Sequence, residues 1–215
     1  MSGIMLNLAG GTFGGIPVIG AAFGGGFFAG QIGVSSVATH NLVVGPAASA
    51  QNTSIKWKNA ATDTPGAASV IDGPQNTADM VADGNATVYP AAHFCNDLST
   101  GGQTDWYMPA KNELEVCYYN LKPGTAGNDV GDGINPNAVP ARASGYTSGT
   151  PAQTSAADFQ TGGAEAFVAA NYYWSSTEFS STKGNLQGFT TGDQYPSGYI
   201  KTGDFSLRAI RRVAV

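Results

Sequence analysis

Few side chains in this 215-residue chain readily perform chemistry: it has two cysteines and two histidines. Cys95 and Cys117 fall at apolar positions of two helical repeats, and their spacing matches no zinc motif. We therefore expect two buried thiols, with a disulfide between them as the alternative. His93 lies beside the apolar stripe that contains Cys95, so we interpret it as a structural histidine rather than a catalytic one.

Oxygen ligands are concentrated in residues 128–135, Asn-Asp-Val-Gly-Asp-Gly-Ile-Asn. Their spacing differs from that of an EF-hand, so we expect no metal and no cofactor, and calcium at this segment stays an alternative. The sequence has no G-x-S-x-G nucleophile elbow. The glycines at 24–26 precede neither a predicted helix nor an acidic residue at the distance that a dinucleotide site requires.

Two helices are predicted between residues 90 and 121. The first begins at Pro90 and ends before Gly101-Gly102, and the second runs from Pro109 to Leu121, before Lys122-Pro123-Gly124. Apolar residues recur at helical spacing in both: Ala91, Phe94, Cys95 and Leu98 in the first, and Ala110, Leu114, Cys117, Tyr118 and Leu121 in the second.

Strands are predicted on both sides of this helical region. Residues 54–58 alternate, with Ile55 and Trp57 on one face, and the rest of 46–89 contains turn signals. Later strands are predicted at 171–177, 186–190, 198–201 and 206–213, after a long turn-rich region at 122–165. These elements predict an α+β domain with two short helices and a small antiparallel sheet, preceded by a glycine-rich extended or β segment.

Three sequence blocks occur in a fixed order. They are residues 101–114 (GGQTDWYMPAKNEL), 172–178 (YYWSSTE) and 206–213 (SLRAIRRV). Together they resemble the C-terminal domain of the Legionella collagen-like adhesin and its bacterial and phage relatives. That family is similar to the formylglycine-generating-enzyme branch of the C-type-lectin-like fold. The resemblance covers residues 90–213, just over half of the chain.

The residues of these blocks have physical roles that do not depend on the resemblance. We expect Asp105 and Pro109 to cap and orient the second helix, and Trp106 and Trp174 to anchor the core. Ser175 and its neighbours can satisfy backbone groups where a strand meets a loop. We further expect Glu178 to form an ion pair with Arg208 or Arg211; the alternative is separate, solvated charges.

The resemblance implies recognition of a surface rather than catalysis. It places ligand-facing positions on loops and strands of the C-terminal part, which correspond here to residues 179–205. Tyrosine, asparagine and glutamine suit adaptable contacts with a ligand. The candidate contacts are therefore Asn185, Gln187, Gln194, Tyr195 and Tyr199, and the alternative is that these are ordinary sheet and turn residues. The calcium-binding tripeptides Glu-Pro-Asn and Gln-Pro-Asp of true C-type lectins are absent, and Asn135-Pro-Asn matches them only in part.

The composition indicates the setting in which the protein works. Only 12% of residues are charged and the net charge is −5, which argues against a nucleic-acid partner. Residues 1–55 contain no Asp, Glu, Lys or Arg, and the pattern AFGGGFFAG at residues 22–30 resembles glycine-rich segments that precede this domain in phages. We predict three parts: an attachment or oligomerisation segment at 1–55, a connecting β and turn region at 56–89, and a recognition domain at 90–215.

These observations predict a virion protein made in a bacterial cytoplasm, without membrane insertion. We expect a homotrimer that contacts other virion proteins through residues 1–55 and binds a bacterial surface glycan or protein. The leading hypothesis is a non-enzymatic fibre or receptor-binding protein. One alternative is a capsid decoration or head-fibre protein without strong ligand binding. The other is an enzyme of the formylglycine-generating type or a glycan-degrading enzyme.

Overall fold

The computed structural model describes residues 15–215, in which strands and helices are mixed. Within this range the chain forms four helices and two sheets. The helices are α1 (Ala47–Ala50), α2 (Gly73–Asp83), α3 (Pro90–Asn96) and α4 (Lys111–Leu121). The strands are β1 (Ala22–Phe23), β2 (Gly26–Val34), β3 (Val37–Val44), β4 (Gln51–Lys56), β5 (Tyr172–Ser180), β6 (Lys183–Gly188), β7 (Tyr199–Ile200), β8 (Asp204–Arg208) and β9 (Ile210–Ala214).

The first sheet joins the early strands to the last one, in the order β1-β2-β3-β9 with antiparallel neighbours. Ser35 and Ser36 connect β2 to β3 with positive φ angles of 50° and 63°, the handedness that a tight hairpin turn requires. β9 then pairs with β3, so that Val44 lies opposite Ile210. Residues 26–44 are therefore part of the folded body. The attachment role of residues 1–55 stays a prediction, and residues 1–14 lie outside the described range.

The second sheet has the order β4-β8-β5-β6-β7, and its β5–β8 neighbours are parallel, with Tyr173 opposite Ser206. The prediction of one strand at 206–213 is wrong, because the chain changes sheets at Ala209. There the amide of Ala209 donates to the carbonyl of Ala50 at 2.8 Å, and the amide of Gly45 donates to the carbonyl of Ala209 at 3.0 Å. Two sheets with one parallel pair thus replace the expected small antiparallel sheet.

The helices were predicted only in part. α3 and α4 lie where their apolar repeats place them, although α4 begins at Lys111 instead of Pro109. α2 was missed, because Asp72-Gly73-Pro74 is one of the turn signals that the sequence shows within residues 46–89. These residues instead begin the helix: Asp72 accepts a hydrogen bond from the amide of Gln75 at 3.4 Å, and Pro74 occupies the first helical turn. None of the helices in the described range has the length and apolar character needed to cross a membrane.

Two hydrophobic clusters fill the interior. One lies around α4, β2 and β3, and the other lies around Trp57, Trp106 and Trp174. The prediction of two buried thiols is confirmed: Cys117 belongs to the first cluster, Cys95 belongs to the second, and both are free. Burial raises the pKa of each thiol far above its ordinary value, so neither side chain is a reactive thiolate at neutral pH.

Candidate functional site

The indole rings of the sequence blocks lie inside the second cluster. Trp174 is fully buried, and its Nε1 donates to the carbonyl of Ile55 at 2.9 Å. Trp106 is nearly as buried, and its Nε1 is shared between the carbonyls of Thr100 and Gln103, each at 3.2 Å. Both tryptophans therefore join segments that are distant or irregular, and neither presents a surface to a ligand.

The expected ion pair between Glu178 and Arg208 or Arg211 is not formed. Glu178 pairs with Lys201, a fully buried lysine immediately after β7, and also accepts a hydrogen bond from the amide of Thr64 at 3.1 Å. Arg208 pairs with Glu165 at 2.7 Å. Glu165 lies at the end of the region 122–165, for which the sequence predicted only turns, and Lys201 lies at the end of the strand predicted at 198–201. Neither position indicated which charged residue its side chain would meet, so the pairing could not be inferred.

Arg211 pairs with Asp105, which corrects the expected capping role of that aspartate. The guanidinium donates to both carboxylate oxygens at 2.6 and 2.8 Å, and this hydrogen bonding lowers the pKa of Asp105. The start of α4 is stabilised instead by Glu113, whose Oε2 accepts from the amide of Ala110 at 2.8 Å. Pro109 lies two residues before the helix, and its carbonyl accepts from the amide of Ser176 at 2.7 Å.

Polar side chains of the second block complete hydrogen bonds inside the sheet. Ser175 is buried, and its hydroxyl donates to the carbonyl of Asn185 at 3.2 Å. Asn185 is also buried and donates from Nδ2 to the carbonyl of Thr177 at 3.1 Å. Together these contacts hold β5 and β6 in register.

Asn185 and Gln187 are consequently not surface residues, contrary to their selection as ligand contacts. Gln187 is 2% exposed and donates from Nε2 to the hydroxyl of Tyr146 at 3.2 Å and to the carbonyl of Gly192 at 3.3 Å. β6 lies between β5 and β7 in the sheet, and Tyr146 from the long irregular region covers it. Alternation along β6 therefore does not produce a solvent-facing side.

The other three candidates lie at the surface. Gln194 is partly buried, whereas Tyr195 and Tyr199 are 37% and 38% exposed. The ring of Tyr195 meets the rings of Tyr172 and Tyr199 edge-on, with centroid distances of 6.2 and 5.9 Å. The ring centroid of Phe205 lies 4.8 Å from that of Tyr199 and 6.2 Å from that of Tyr172, so the four aromatic side chains contact one another in sequence. We call Tyr172, Tyr195, Tyr199 and Phe205 the aromatic face.

A cleft of about 210 Å³ opens beside the aromatic face. Tyr172 and Phe205 form part of its wall, together with the polar residues Asn171, Asp204 and Ser206. The face and the cleft combine ring surfaces with hydrogen-bonding groups, which is the usual composition of a small-ligand site. The sequence did not identify Tyr172 as a surface residue, because it was assigned to a scaffold block.

Three carboxylates lie at the other side of Tyr172. One oxygen from each of Asp129, Asp132 and Asp193 falls within 4.8 Å of the others. Asp193 accepts hydrogen bonds from the hydroxyl of Tyr172 at 2.8 Å and from the amide of Tyr195 at 2.9 Å. It therefore connects the three carboxylates to the aromatic face. Burial, followed by the like charges of Asp193 and Asp129, raises the pKa of Asp132.

This trio differs from the calcium segment considered at 128–135. Asn128 turns inward, where its Oδ1 accepts from Tyr118 and Lys122, and the buried Asn135 donates to the carbonyl of Asn112. Only Asp129 and Asp132 come together, and Asp193 joins them from the loop after β6. Three carboxylates match the ligand type of a hard cation, but both oxygens of Asp193 and one of Asp132 already accept hydrogen bonds from the protein.

Comparison with known proteins adds no assignment to this geometry. No protein-family model matches the chain, and no match was found among curated proteins. The resemblance to the C-type-lectin-like domain therefore depends on the three sequence blocks alone. The function has to be inferred from the surface residues that those blocks hold in place.

Proposed function

We propose that the chain is a non-enzymatic phage virion protein, a fibre or receptor-binding protein. In this proposal residues 90–215 form a C-type-lectin-like domain that recognises a bacterial surface glycan or protein. The observation that carries it is the aromatic face. Two partly exposed tyrosines, Tyr195 and Tyr199, lie side by side in the stretch to which the resemblance assigns ligand contacts.

The support beneath the aromatic face favours a binding role. The loop that carries Tyr195 is held by three hydrogen bonds from its base: the carbonyl of Asp193 accepts from the amide of Gly188 at 2.8 Å, and the amides of Gln194 and Tyr195 donate to Asp132 and Asp193. A surface whose rings are positioned before a ligand arrives loses less conformational entropy on binding. Pre-positioned tyrosines therefore favour recognition.

The virion setting is supported by composition. Residues 1–55 lack charged side chains, which favours burial against other virion proteins over exposure to water. We propose that this segment contributes contacts to other virion proteins and that the assembled fibre is a homotrimer. Part of this segment, strands β2 and β3, is packed into the folded protein. The contacts with other virion proteins would therefore use the exposed surface of these strands, including Val34 and Val37 at the tip of the hairpin.

The test is binding of the purified chain to a panel of bacterial strains, together with competition against phage adsorption. We expect the wild-type chain to label the cells of a host strain and to block adsorption. The Tyr195→Ala/Tyr199→Ala double variant should bind at least about 10-fold more weakly, the loss that follows from removing about 1.4 kcal/mol of contact energy. Val70→Ala, which truncates an exposed side chain outside both residues 1–55 and the aromatic face, is the matched control.

Circular dichroism and a thermal melt of each variant separate a binding defect from unfolding. A folded double variant that binds as well as the wild type would show that the aromatic face is not the contact surface. A wild-type chain that labels no strain and leaves adsorption unchanged would overturn the recognition function itself.

A further inference from the structure

The ligand of the aromatic face can be specified further from the charges around it. The carboxylate of Asp193 accepts a hydrogen bond from the hydroxyl of Tyr172, and one oxygen of each of Asp129 and Asp132 lies within 4.8 Å of an oxygen of Asp193. A fourth carboxylate, that of Asp204, lines the cleft. Carboxylates therefore border the aromatic face at the hydroxyl of Tyr172 and in the cleft. In contrast to other acidic residues of the described range, such as Asp105 and Glu165, none of these four forms an ion pair with Lys, Arg or His.

In the described part of the ligand-free protein none of these carboxylates is neutralised by an ion pair, and the ionised form of one of them is disfavoured. Burial, and after it the negative charges of Asp193 and Asp129, raise the pKa of Asp132 against the smaller opposing effect of Lys111, so the ionised form of Asp132 is disfavoured. A positive group placed between the rings and the carboxylates would reduce this repulsion and would also contact the negative faces of the tyrosine rings.

The dimensions of the site favour a glycan over a protein partner. A standard protein interface buries about 800 Å² on each side, far more than the exposed parts of two tyrosines provide. The cleft of about 210 Å³ is smaller than sites for drug-sized molecules, which begin at about 300 Å³. Asp204 and Oδ1 of Asn171 line it with acceptors that suit the hydroxyls of a sugar ring. Nδ2 of Asn171 instead donates to the buried hydroxyl of Ser206, which donates to the carbonyl of Thr53.

From the aromatic face, its cleft and its bordering charge, we infer that the ligand is a glycan carrying protonated amino groups. The sugar rings pack against Tyr195 and Tyr199, and an ammonium group lies towards Asp129, Asp132 and Asp193. This inference depends on the proposed function, because it names the class of the ligand that the same surface recognises. It does not require a metal ion.

A matched pair of probes tests it: glucosamine oligomers and N-acetylglucosamine oligomers of equal length, which differ only in the charge of the amino group. Binding is measured by isothermal titration calorimetry at about pH 6, where amines of this kind carry a proton. We expect the glucosamine oligomer to bind at least about 10-fold more tightly, and we expect the difference to shrink at about 1 M salt, where the screening length is about 3 Å.

Variants assign the effect to particular side chains. Asp129→Asn removes an exposed carboxylate without any side-chain hydrogen bond in the described range, and it should selectively weaken binding of the charged oligomer. Tyr195→Ala should weaken binding of both oligomers. Asp158→Asn, which neutralises an exposed carboxylate on the 3₁₀ turn at Ala157–Phe159, is the control and should change neither.

The outcomes distinguish this inference from the proposed function. Equal affinity for the two oligomers, or no affinity for either while the chain still labels host cells through Tyr195 and Tyr199, overturns the inference and leaves recognition standing. Loss of cell labelling as well overturns both. If calcium increases binding of the neutral oligomer and EDTA abolishes it, the carboxylates hold a metal and the inference is wrong.

Discussion

Arg208 and Glu165 form an ion pair in the interior, with Nη2 of the arginine 2.7 Å from Oε2 of the glutamate. Arg208 is fully buried and also donates from Nε to the carbonyl of Gly45 at 2.6 Å. The same glutamate oxygen accepts from the amide of Ala47 at 2.7 Å. The pair therefore fastens the end of β8 to the start of α1 and to the irregular region before β5.

Neutralising Glu165 should destabilise the fold strongly. Burial lowers the pKa of Arg208 to about 10, so its guanidinium stays charged at neutral pH and would lose its counter-ion in Glu165→Gln. Breaking a buried pair in this way costs about 3–5 kcal/mol. We expect a drop of about 3 kcal/mol in the free energy of unfolding, measured by urea titration with tryptophan fluorescence.

Asp105→Asn is the control for that measurement, since it breaks the pair of Asp105 with Arg211 at the surface. The aspartate side chain is 55% exposed, and exposed pairs contribute under about 1 kcal/mol. Equal losses in the two variants would contradict the distinction between a buried and an exposed pair in this protein.

The second prediction concerns Gly101 and Gly102, which adjoin each other and have positive φ angles of 59° and 73°. A Cβ on Gly101 would overlap the carbonyl of Gly25, whereas a Cβ on Gly102 would meet nothing within 4 Å. Gly102→Ala should therefore cost only the backbone strain, about 1 kcal/mol. Gly101→Ala must in addition displace backbone, and we expect at least about 2 kcal/mol more.

Thermal melts of the two alanine variants measure this difference. Because the residues are neighbours with the same handedness, the comparison isolates the contact with Gly25. If both variants melt at the same temperature, the loop at 101–103 and the β1–β2 turn are not in close contact.

The helices and the functional surface differ in how far the sequence could predict them. α3 and α4 follow from local apolar spacing, which is visible within a few turns. The ion pairs of Glu178, Arg208 and Arg211 were not predictable, because their partners lie up to 106 positions away and depend on how irregular segments pack. Likewise, Asn185 and Gln187 were selected by residue type, and their burial depends on β5, which bonds to Asn185, and on Tyr146, which bonds to Gln187.

Part of the candidate site was visible in the sequence. Tyr195 and Tyr199 were selected because tyrosine in a C-terminal loop suits recognition. The remainder arises from tertiary structure: Asp193 meets Asp129 and Asp132 across 61 or more positions, since the amide of Gln194 binds Asp132 and the amide of Asp129 binds the carbonyl of Thr191. A local sequence pattern cannot predict a contact between two loops that are this far apart in the chain.

The third prediction is a pH dependence of stability that originates in Glu113. This carboxyl is fully buried on α4, where it accepts from the hydroxyl of Tyr107 at 2.6 Å and from Nε of Arg212 at 2.7 Å. Burial raises its pKa above the ordinary value of 4.5. Between 4.5 and the folded-state pKa, the native state therefore binds more protons than the unfolded state. The contribution of Glu113 to stability is greatest below pH 4.5 and is lost as the pH rises through the folded-state pKa.

Urea titrations of the wild type and of Glu113→Gln over a pH series test this sign. The free energy of unfolding of the wild type, taken relative to the variant, should increase as the pH falls towards 4.5. Asp105→Asn provides the opposite case, because Arg211 lowers the pKa of Asp105 and its contribution is lost as the pH falls below about 3.8. Parallel curves for the wild type and Glu113→Gln would contradict the assignment.

The change of sheets at Ala209 has a consequence for how the protein is made. β8 and β9 complete the two sheets by pairing with β4 and β3, and the hydroxyl of Ser206 bonds to the carbonyl of Thr53, 153 positions earlier. Until residues 204–214 emerge from the ribosome, β3 lacks one of its two neighbouring strands and β4 lacks the strand with which it pairs. The apolar residues that these strands bury stay exposed to solvent during that time. Folding therefore finishes after translation of these residues, and an incomplete chain exposes open strand edges to its neighbours on the same polysome.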